Sequence, residues 1–323
     1  MHEIQMIKGA LKLLNVCAAV KPEEEVLIIA DYNMEKIGKT IASATYQIGA
    51  EPVLVYLVPR GTDGQEPPKS VATALKQSSV FLAPVSKSIT HTKAVKEAVQ
   101  NGSRGLMLTQ FRDDMLVYGG IEADFHSIAP TCKALAKKFE KGKTVHLTTQ
   151  KGTDIKMDIT GRRGNSLTCI VKPGQFSPVP NIEANVSPVE GSANGKLIID
   201  ASIPYIGIGI IESPIAVEVK EGLIQSINGG KQAKELSDNL EALKDPMVFN
   251  IAELGIGLNP HSRLTGCMLD DEGVLKTAHI GIGTNITLGG NIKASCHYDL
   301  LLWNPTVNID GEIVIQDGDI TAA

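Results

Sequence analysis

The chain has 323 residues, 43% hydrophobic and 21% charged, with a formal net charge of −5 and only 4% aromatic residues. That balance is ordinary for a globular protein. It argues against a nucleic-acid partner, which calls for basic patches and aromatic stacking platforms. No apolar run approaches the ~20 residues needed to span a bilayer, so no membrane partner is expected.

The length predicts two domains, each large enough to bury its own core. Ile4, Ile7, Leu11 and Leu14 step by three and four and predict an opening amphipathic helix. Residues 25–30 form a compact apolar run, typical of a strand buried on both faces. Helical spacing returns at Ile37, Ile41, Ala44 and Ile48 and stops at Gly49, where a C-terminal cap belongs. A strand at 52–58, a Gly/Pro-rich loop over 60–68, a helix near 70–77, a strand at 80–83, a helix at 90–100 and a strand at 105–109 continue the alternation. A helix over 121–139 and a strand at 145–147 complete it. Strand and helix in strict turn predict an α/β domain, with a doubly wound and mostly parallel sheet, over residues 1–150.

From Thr148 onward Gly, Pro, Asn and Ser become frequent, and short strands replace the earlier rhythm. Strands are predicted at 155–159, 196–201, 216–220 and 223–227, the last two joined by a Glu221-Gly222 turn, with a late hairpin arm at 311–315. Between them, Ala233, Leu236, Leu240 and Leu243 share one face of a helix over 231–244. These elements predict an α+β domain over residues 151–323, the one that carries the chemistry. Five cysteines (Cys17, Cys132, Cys169, Cys267 and Cys296) are odd in number, scattered and without a CxxC pair. They fit the reduced thiols of a cytoplasmic protein, and Met1-His2-Glu3-Ile4 lacks the start of a signal peptide.

Several familiar motifs are missing. Gly38-Lys39-Thr40 looks like the end of a phosphate-binding loop, but position 33, where the first glycine is needed, is Asn. No GxGxxG follows the first strand, and neither HExxH nor GxSxG occurs. What stands out is a repeat: Ala252-Glu253-Leu254-Gly255-Ile256-Gly257 returns as Ala278-His279-Ile280-Gly281-Ile282-Gly283. Read as strands, each copy has an oily face and a face with one coordinating side chain beside a glycine floor, where a substrate or backbone can approach. An unpaired Glu253 in such a strand is costly to bury, and a cation removes the cost. In Cys296-His297-Tyr298-Asp299, the His and Asp share a strand face and can bind one ion or neighbouring ions. The plainer reading of that pair is a structural His–Asp hydrogen bond. These three segments are read as the walls of one metal site. Glu183, in a Pro-bounded segment without periodicity, reads by itself as a solvated loop residue, and so do Glu190, Asp270, Asp271 and Glu272. His261 and Arg263 read as a surface loop, and Cys296 as small and apolar.

At these residues the sequence resembles the aminopeptidase T family of leucyl-aminopeptidase-like metallopeptidases. The resemblance covers the C-terminal domain in its residues and the N-terminal domain in architecture. It implies a two-lobed cytoplasmic homodimer that binds two divalent ions (Zn, Co, Mn or Fe) through two Glu, two His and one Asp. Those roles fall on Glu183, within Asn181-Ile182-Glu183-Ala184-Asn185-Val186-Ser187-Pro188, and on Glu253, His279, His297 and Asp299. The family's Tyr, seven residues after its first His, is Ile286 here. The tail, from Gly289-Gly290-Asn291 to Asp317-Gly318-Asp319, also looks like 2,5-dihydroxypyridine 5,6-dioxygenase. That relative on the same scaffold holds one iron with two His and one Asp, and has His where this chain has Glu253. Three carboxylates and two imidazoles suit two ions sharing a bridging carboxylate. The expectation is an aminopeptidase-type hydrolase of amide or peptide bonds acting on a small molecule or short peptide, with Glu183 and Glu253 as catalytic carboxylates. The alternatives are a hydrolase of small cyclic amides or amidines and a mononuclear non-haem iron ring-cleaving dioxygenase.

Overall fold

A computed structural model describes residues 2–321. Helix α1 (His2–Lys12) leads into strand β1 (Glu25–Asp31), α2 (Glu35–Gln47), β2 (Glu51–Leu57), α3 (Lys69–Gln77), β3 (Val80–Val85), α4 (Lys93–Gln100) and β4 (Arg104–Thr109). The four strands are parallel, in the order β2-β1-β3-β4. Leu27, Ile29, Phe81, Ala83 and Met107 bury one face of this sheet against Val71 and Leu75 of α3 and Ala94, Val95 and Ala98 of α4. The order reverses between β1 and β3, and there the ladder ends at Ile28–Leu82, two residues short of Pro84, which has no N–H to give. Asp31 ties the two strand ends together. Its buried carboxylate accepts Ser86 N–H and Oγ–H, both at 2.6 Å, and Asn33 N–H at 3.0 Å.

Helix α5 (Phe125–Lys141) starts later than the spacing predicts, because Asp124 Oδ1 takes the N–H groups of His126 and Ser127 and fixes the first turn there. The strands β5 (Thr144–Thr148), β6 (Asp154–Asp158), β7 (Gly164–Leu167), β8 (Phe176–Pro178), β9 (Glu183–Val186) and β10 (Asn194–Ile199) follow. Next come a short hairpin of β11 (Ser202–Ile203) and β12 (Gly209–Ile210), then β13 (Ile215–Lys220), β14 (Leu223–Asn228) and α6 (Lys231–Ala242). The chain closes with β15 (Ile251–Gly257), α7 (Met268–Asp271), β16 (Thr277–Gly283), β17 (His297–Trp303), β18 (Thr306–Ile309), β19 (Glu312–Gln316) and β20 (Asp319–Ile320). An eight-stranded antiparallel sheet runs β14-β13-β10-β6-β5-β18-β19-β20, and a five-stranded one runs β17-β16-β15-β9-β7.

The fold class is as expected: a parallel α/β sheet first, antiparallel sheets with few helices after it. The division of the chain differs. One compact unit runs to Ser127 and takes in Leu167–Pro180; the other comprises Ile128–Ser166 and the chain from Asn181 onward. In place of one boundary at residue 150, the chain changes unit after Ser127, Ser166 and Pro180. Pairing explains this. β8 joins β4 in parallel as the fifth strand of the first sheet, whereas β5, read as the last strand of the α/β domain, lies antiparallel between β6 and β18. Among the described residues no helix is long and apolar enough to cross a membrane. All five cysteines are buried thiols.

Candidate metal centre

The five-stranded sheet of the second unit gathers the five predicted donors. Its register shows why the repeat has the form it has. β15 pairs antiparallel with β16, so Glu253 stands opposite Gly281 and His279 opposite Gly255. β17 sets Asp299 opposite Gly281 and His297 opposite Gly283, and β9 sets Glu183 opposite Gly257. Every donor therefore has a glycine for a cross-strand neighbour. A Cβ on Gly255 would lie 1.9 Å from His279 Nε2, and one on Gly281 would lie 2.7 Å from Glu253 Cβ and 2.9 Å from Asp299 Oδ1. The glycine floor, expected to admit a substrate or backbone, takes the centre's own side chains at Gly255 and Gly281 and neighbouring backbone at Gly257 and Gly283.

Glu253 is the middle of the cluster. Its Oε1 lies 3.9 Å from His279 Nε2 and its Oε2 lies 3.0 Å from His297 Nε2. Glu183 Oε2 lies 3.5 Å from His279 Nε2, and Asp299 Oδ1 lies 3.5 Å from His297 Nε2. Two triads result, Glu183–Glu253–His279 and Glu253–His297–Asp299, each with donor atoms within 4.8 Å of one another. All but His297 are buried. His297 Nδ1 sits 2.8 Å from the carbonyl of Thr284, which fixes the proton there and turns Nε2 toward the carboxylates.

Electrostatics bind the group together. Burial favours neutral imidazoles, but Glu183, Glu253 and Asp299 outweigh it and push His279 up to about 9; Asp299 and Glu253 likewise raise His297 well above its ordinary value. Burial pushes Glu183 up to about 7, against the pull of His279. Burial also opposes ionisation of Glu253 and Asp299, yet the two imidazoles hold both carboxyls below their usual range. Protonated imidazoles and carboxylates thus neutralise one another, a role a divalent cation takes over with release of protons. The fit to a cation is also visible in one atom: Asp299 Oδ1 is buried and has no hydrogen-bond partner.

Around the donors lies a set of polar residues. Asn185 Nδ2 donates to Glu183 Oε1 at 2.6 Å, and Asn181 Nδ2 donates to Glu183 Oε2 at 3.1 Å. Asn181 also donates to Glu272 Oε2 at 3.1 Å, and the Tyr205 hydroxyl lies 2.8 Å from both Glu272 Oε1 and Asp299 Oδ2. A phenol has one proton to donate, so one of those two contacts needs a proton from the carboxyl side. Glu272 carries it, since burial and the neighbouring Asp299 and Glu183 raise its carboxyl well above the usual range.

The family model described as "NicX: 2,5-dihydroxypyridine 5,6-dioxygenase" matches residues 5–322. The chain belongs to that family. A NicX-type relative, the 2,5-dihydroxypyridine 5,6-dioxygenase of Pseudomonas putida KT2440, is 29% identical over 163 residues. That match takes in 47% of this chain and 46% of the relative, so it spans about half the length of the curated protein. The solved structure of 2,5-dihydroxypyridine dioxygenase from Pseudomonas putida KT2440 superposes with a TM-score of 0.86 at 19% identity, over 99% of this chain and 98% of that one. Wild-type AmpT from Thermus thermophilus superposes with a TM-score of 0.72 at 13% identity, over 99% and 100% of the two chains. At such identities the likeness is one of fold. The resemblance to aminopeptidase T therefore holds for the scaffold, while the family is NicX.

The structure places the remaining predicted residues as follows. His261 and Arg263 are exposed, as the surface-loop reading expects, and Cys296 is a buried thiol that burial pushes up to about 11. Glu183 lies in strand β9, where a loop was read. The solvated reading fails for Asp270, Asp271 and Glu272, which are buried, and for Glu190, which is held by Arg162, Asn285 Nδ2 and Asn291 N–H. Asp271 is buried because its carboxylate takes the N–H groups of Thr265 and Gly266. Tyr205 and Glu272 are the residues that the sequence reading missed. Tyr205 has no periodic partner, and nothing separates Glu272 from its acidic neighbours along the chain.

Proposed function

We propose that this chain is a metal-dependent hydrolase working on amide bonds in the cytoplasm, with two divalent ions held by Glu183, Glu253, His279, His297 and Asp299. The observation that carries the reading is the division of Glu253, with one oxygen toward each imidazole, so that a single carboxylate serves both triads. Each triad has one imidazole and two carboxylates, a set suited to Zn, Mn or Co in hydrolytic sites. Ions bound there supply a water of lowered pKa and a Lewis acid for a carbonyl oxygen. The protein's part is to hold the donors in place: Asn181 and Asn185 orient Glu183, and the carbonyl of Thr284 orients His297. Glu183, at the end of the cluster away from Asp299, would serve either as a ligand or as the group that takes up a proton during hydrolysis. With Ile286 in place of the peptidase Tyr, small cyclic amides or amidines rank beside short peptides as substrates. A homodimer is part of the same proposal, tested by the mass in solution.

Membership of the NicX family favours a second reading, oxygen-dependent ring cleavage at a single iron. That chemistry ordinarily uses two His and one carboxylate on one ion, and His279, His297 and Asp299 would be its ligands here. Elemental analysis of the purified protein separates the readings, together with assays on aminoacyl amides, cyclic amides and 2,5-dihydroxypyridine. About two zinc- or manganese-like ions per chain with hydrolysis in the absence of oxygen is the expected result. One iron per chain with oxygen uptake overturns it.

A further inference from the structure

We infer that Tyr205 is a positioning residue of the metal centre, the keystone of a hydrogen-bonded arc Asp299–Tyr205–Glu272–Asn181–Glu183 that joins the outer carboxylates of the two triads. The inference rests on the two-ion reading above. Tyr205 sits in the turn of the β11–β12 hairpin, where Ile206, Gly207 and Gly209 all have positive φ (50°, 81° and 67°) and the chain folds back within a few residues. Ile206 and Ile210 remain exposed, while the Tyr205 ring packs 5.0 Å from the ring of Tyr298, the residue between His297 and Asp299. At the hairpin's base, Ala201 N–H donates to the carbonyl of Leu301 in β17, so the hairpin is tethered to the strand that carries the His-x-Asp pair.

The consequence is directional. A free carboxylate interchanges its two oxygens by rotation about one bond. The 2.8 Å contact from the Tyr205 hydroxyl pins Oδ2 of Asp299 and leaves Oδ1, the buried atom without a partner, beside His297 Nε2. Glu272 fixes the hydroxyl from its other side, and Asn181 shares its amide protons between Glu272 and Glu183. The outer carboxylate of each triad is thus oriented by one continuous chain of bonds. Partners of this kind around a metal ligand are worth roughly 10–100-fold in metal affinity.

The test is a titration of metal-stripped protein with Mn²⁺ and Co²⁺. Tyr205→Phe keeps the ring and removes the hydroxyl; Tyr298→Phe removes a hydroxyl from the same aromatic pair that points instead to Asn239, at 3.2 Å. Expected are cation binding weakened about 10–100-fold in Y205F, altered Co²⁺ absorption bands in that variant, and wild-type behaviour in Y298F. Binding by Y205F within about 3-fold of wild type, well under the usual range, overturns the assignment. Should Y205F fail to fold, Glu272→Ala removes the second anchor of the hydroxyl, and unchanged affinity there overturns the arc. One ion per chain with Y205F still weakened defeats the two-ion reading and keeps the role of Tyr205. No cation uptake by the wild type defeats both.

Discussion

Asp31 and Asp299 are both buried carboxylates on strands, one in each unit, and they live in opposite surroundings. Asp31 takes three hydrogen bonds from two backbone N–H groups and a hydroxyl, all within 3.0 Å, and so closes a gap between parallel strands. Asp299 has Glu253, Glu272 and two imidazoles for neighbours, and one of its oxygens has no hydrogen-bond partner. Burial alone therefore says little about role. A buried carboxylate with a full set of neutral donors belongs to the scaffold, whereas one crowded by other acids and left with an open oxygen is arranged for a cation.

That contrast can be broken in several ways. The largest effect is expected for His297→Ala or Asp299→Ala: cation affinity should fall at least about 100-fold, beyond the range for outer partners, and turnover should fall to background in parallel. An active variant without metal would refute the centre. Gly281→Ala comes next, since its Cβ must displace Glu253, Asp299 or His297. Overpacking there should destabilise the fold by about 1–3 kcal/mol and weaken cation uptake as well, read from urea melts with and without chelator. Asp31→Ala should cost about 1–3 kcal/mol by removing the hydrogen bonds its carboxylate takes from Ser86 and Asn33, with cation content unchanged; a loss of metal in that variant would end the distinction drawn here.

The smallest effect is a matter of pH. Burial opposes ionisation of Glu190, but the Asn291 N–H, the Asn285 amide and Arg162 outweigh it and hold its carboxyl at about 2. Because the folded value lies below the unfolded one of about 4.3, its contribution is complete above that pH and is lost as pH falls toward 2. The stability difference between wild type and Glu190→Gln, followed by denaturant midpoint, should shrink over that window and stay flat above it. A difference that grows on acidification would show that Glu190 is held in its neutral form.

How much of this was legible along the chain differs between the two halves. The apolar runs at 25–30 and 105–109 and the helical spacing from Ile37 to Ile48 announce the α/β unit, because local periodicity reports burial directly. The repeat around Glu253 and His279 also reads correctly as strands carrying donors. Gly255 and Gly281 read less well: they make room for imidazole and carboxylate across the ladder, a fact of register that no single strand reveals.

Glu183 needed a family resemblance to be singled out, and Glu272 and Tyr205 could not be found at all. The sequence by itself determined the two fold classes, the strands of the repeat and the side-chain types available to hold a cation, since each depends on neighbours within a few residues. Tertiary structure alone decided that β8 completes the first sheet, that Glu253 stands between two imidazoles, and that a tyrosine from a distant hairpin meets Asp299. These are pairings between residues 26 to 94 apart along the chain. Their energies come from registers and buried contacts that form only when the sheets assemble.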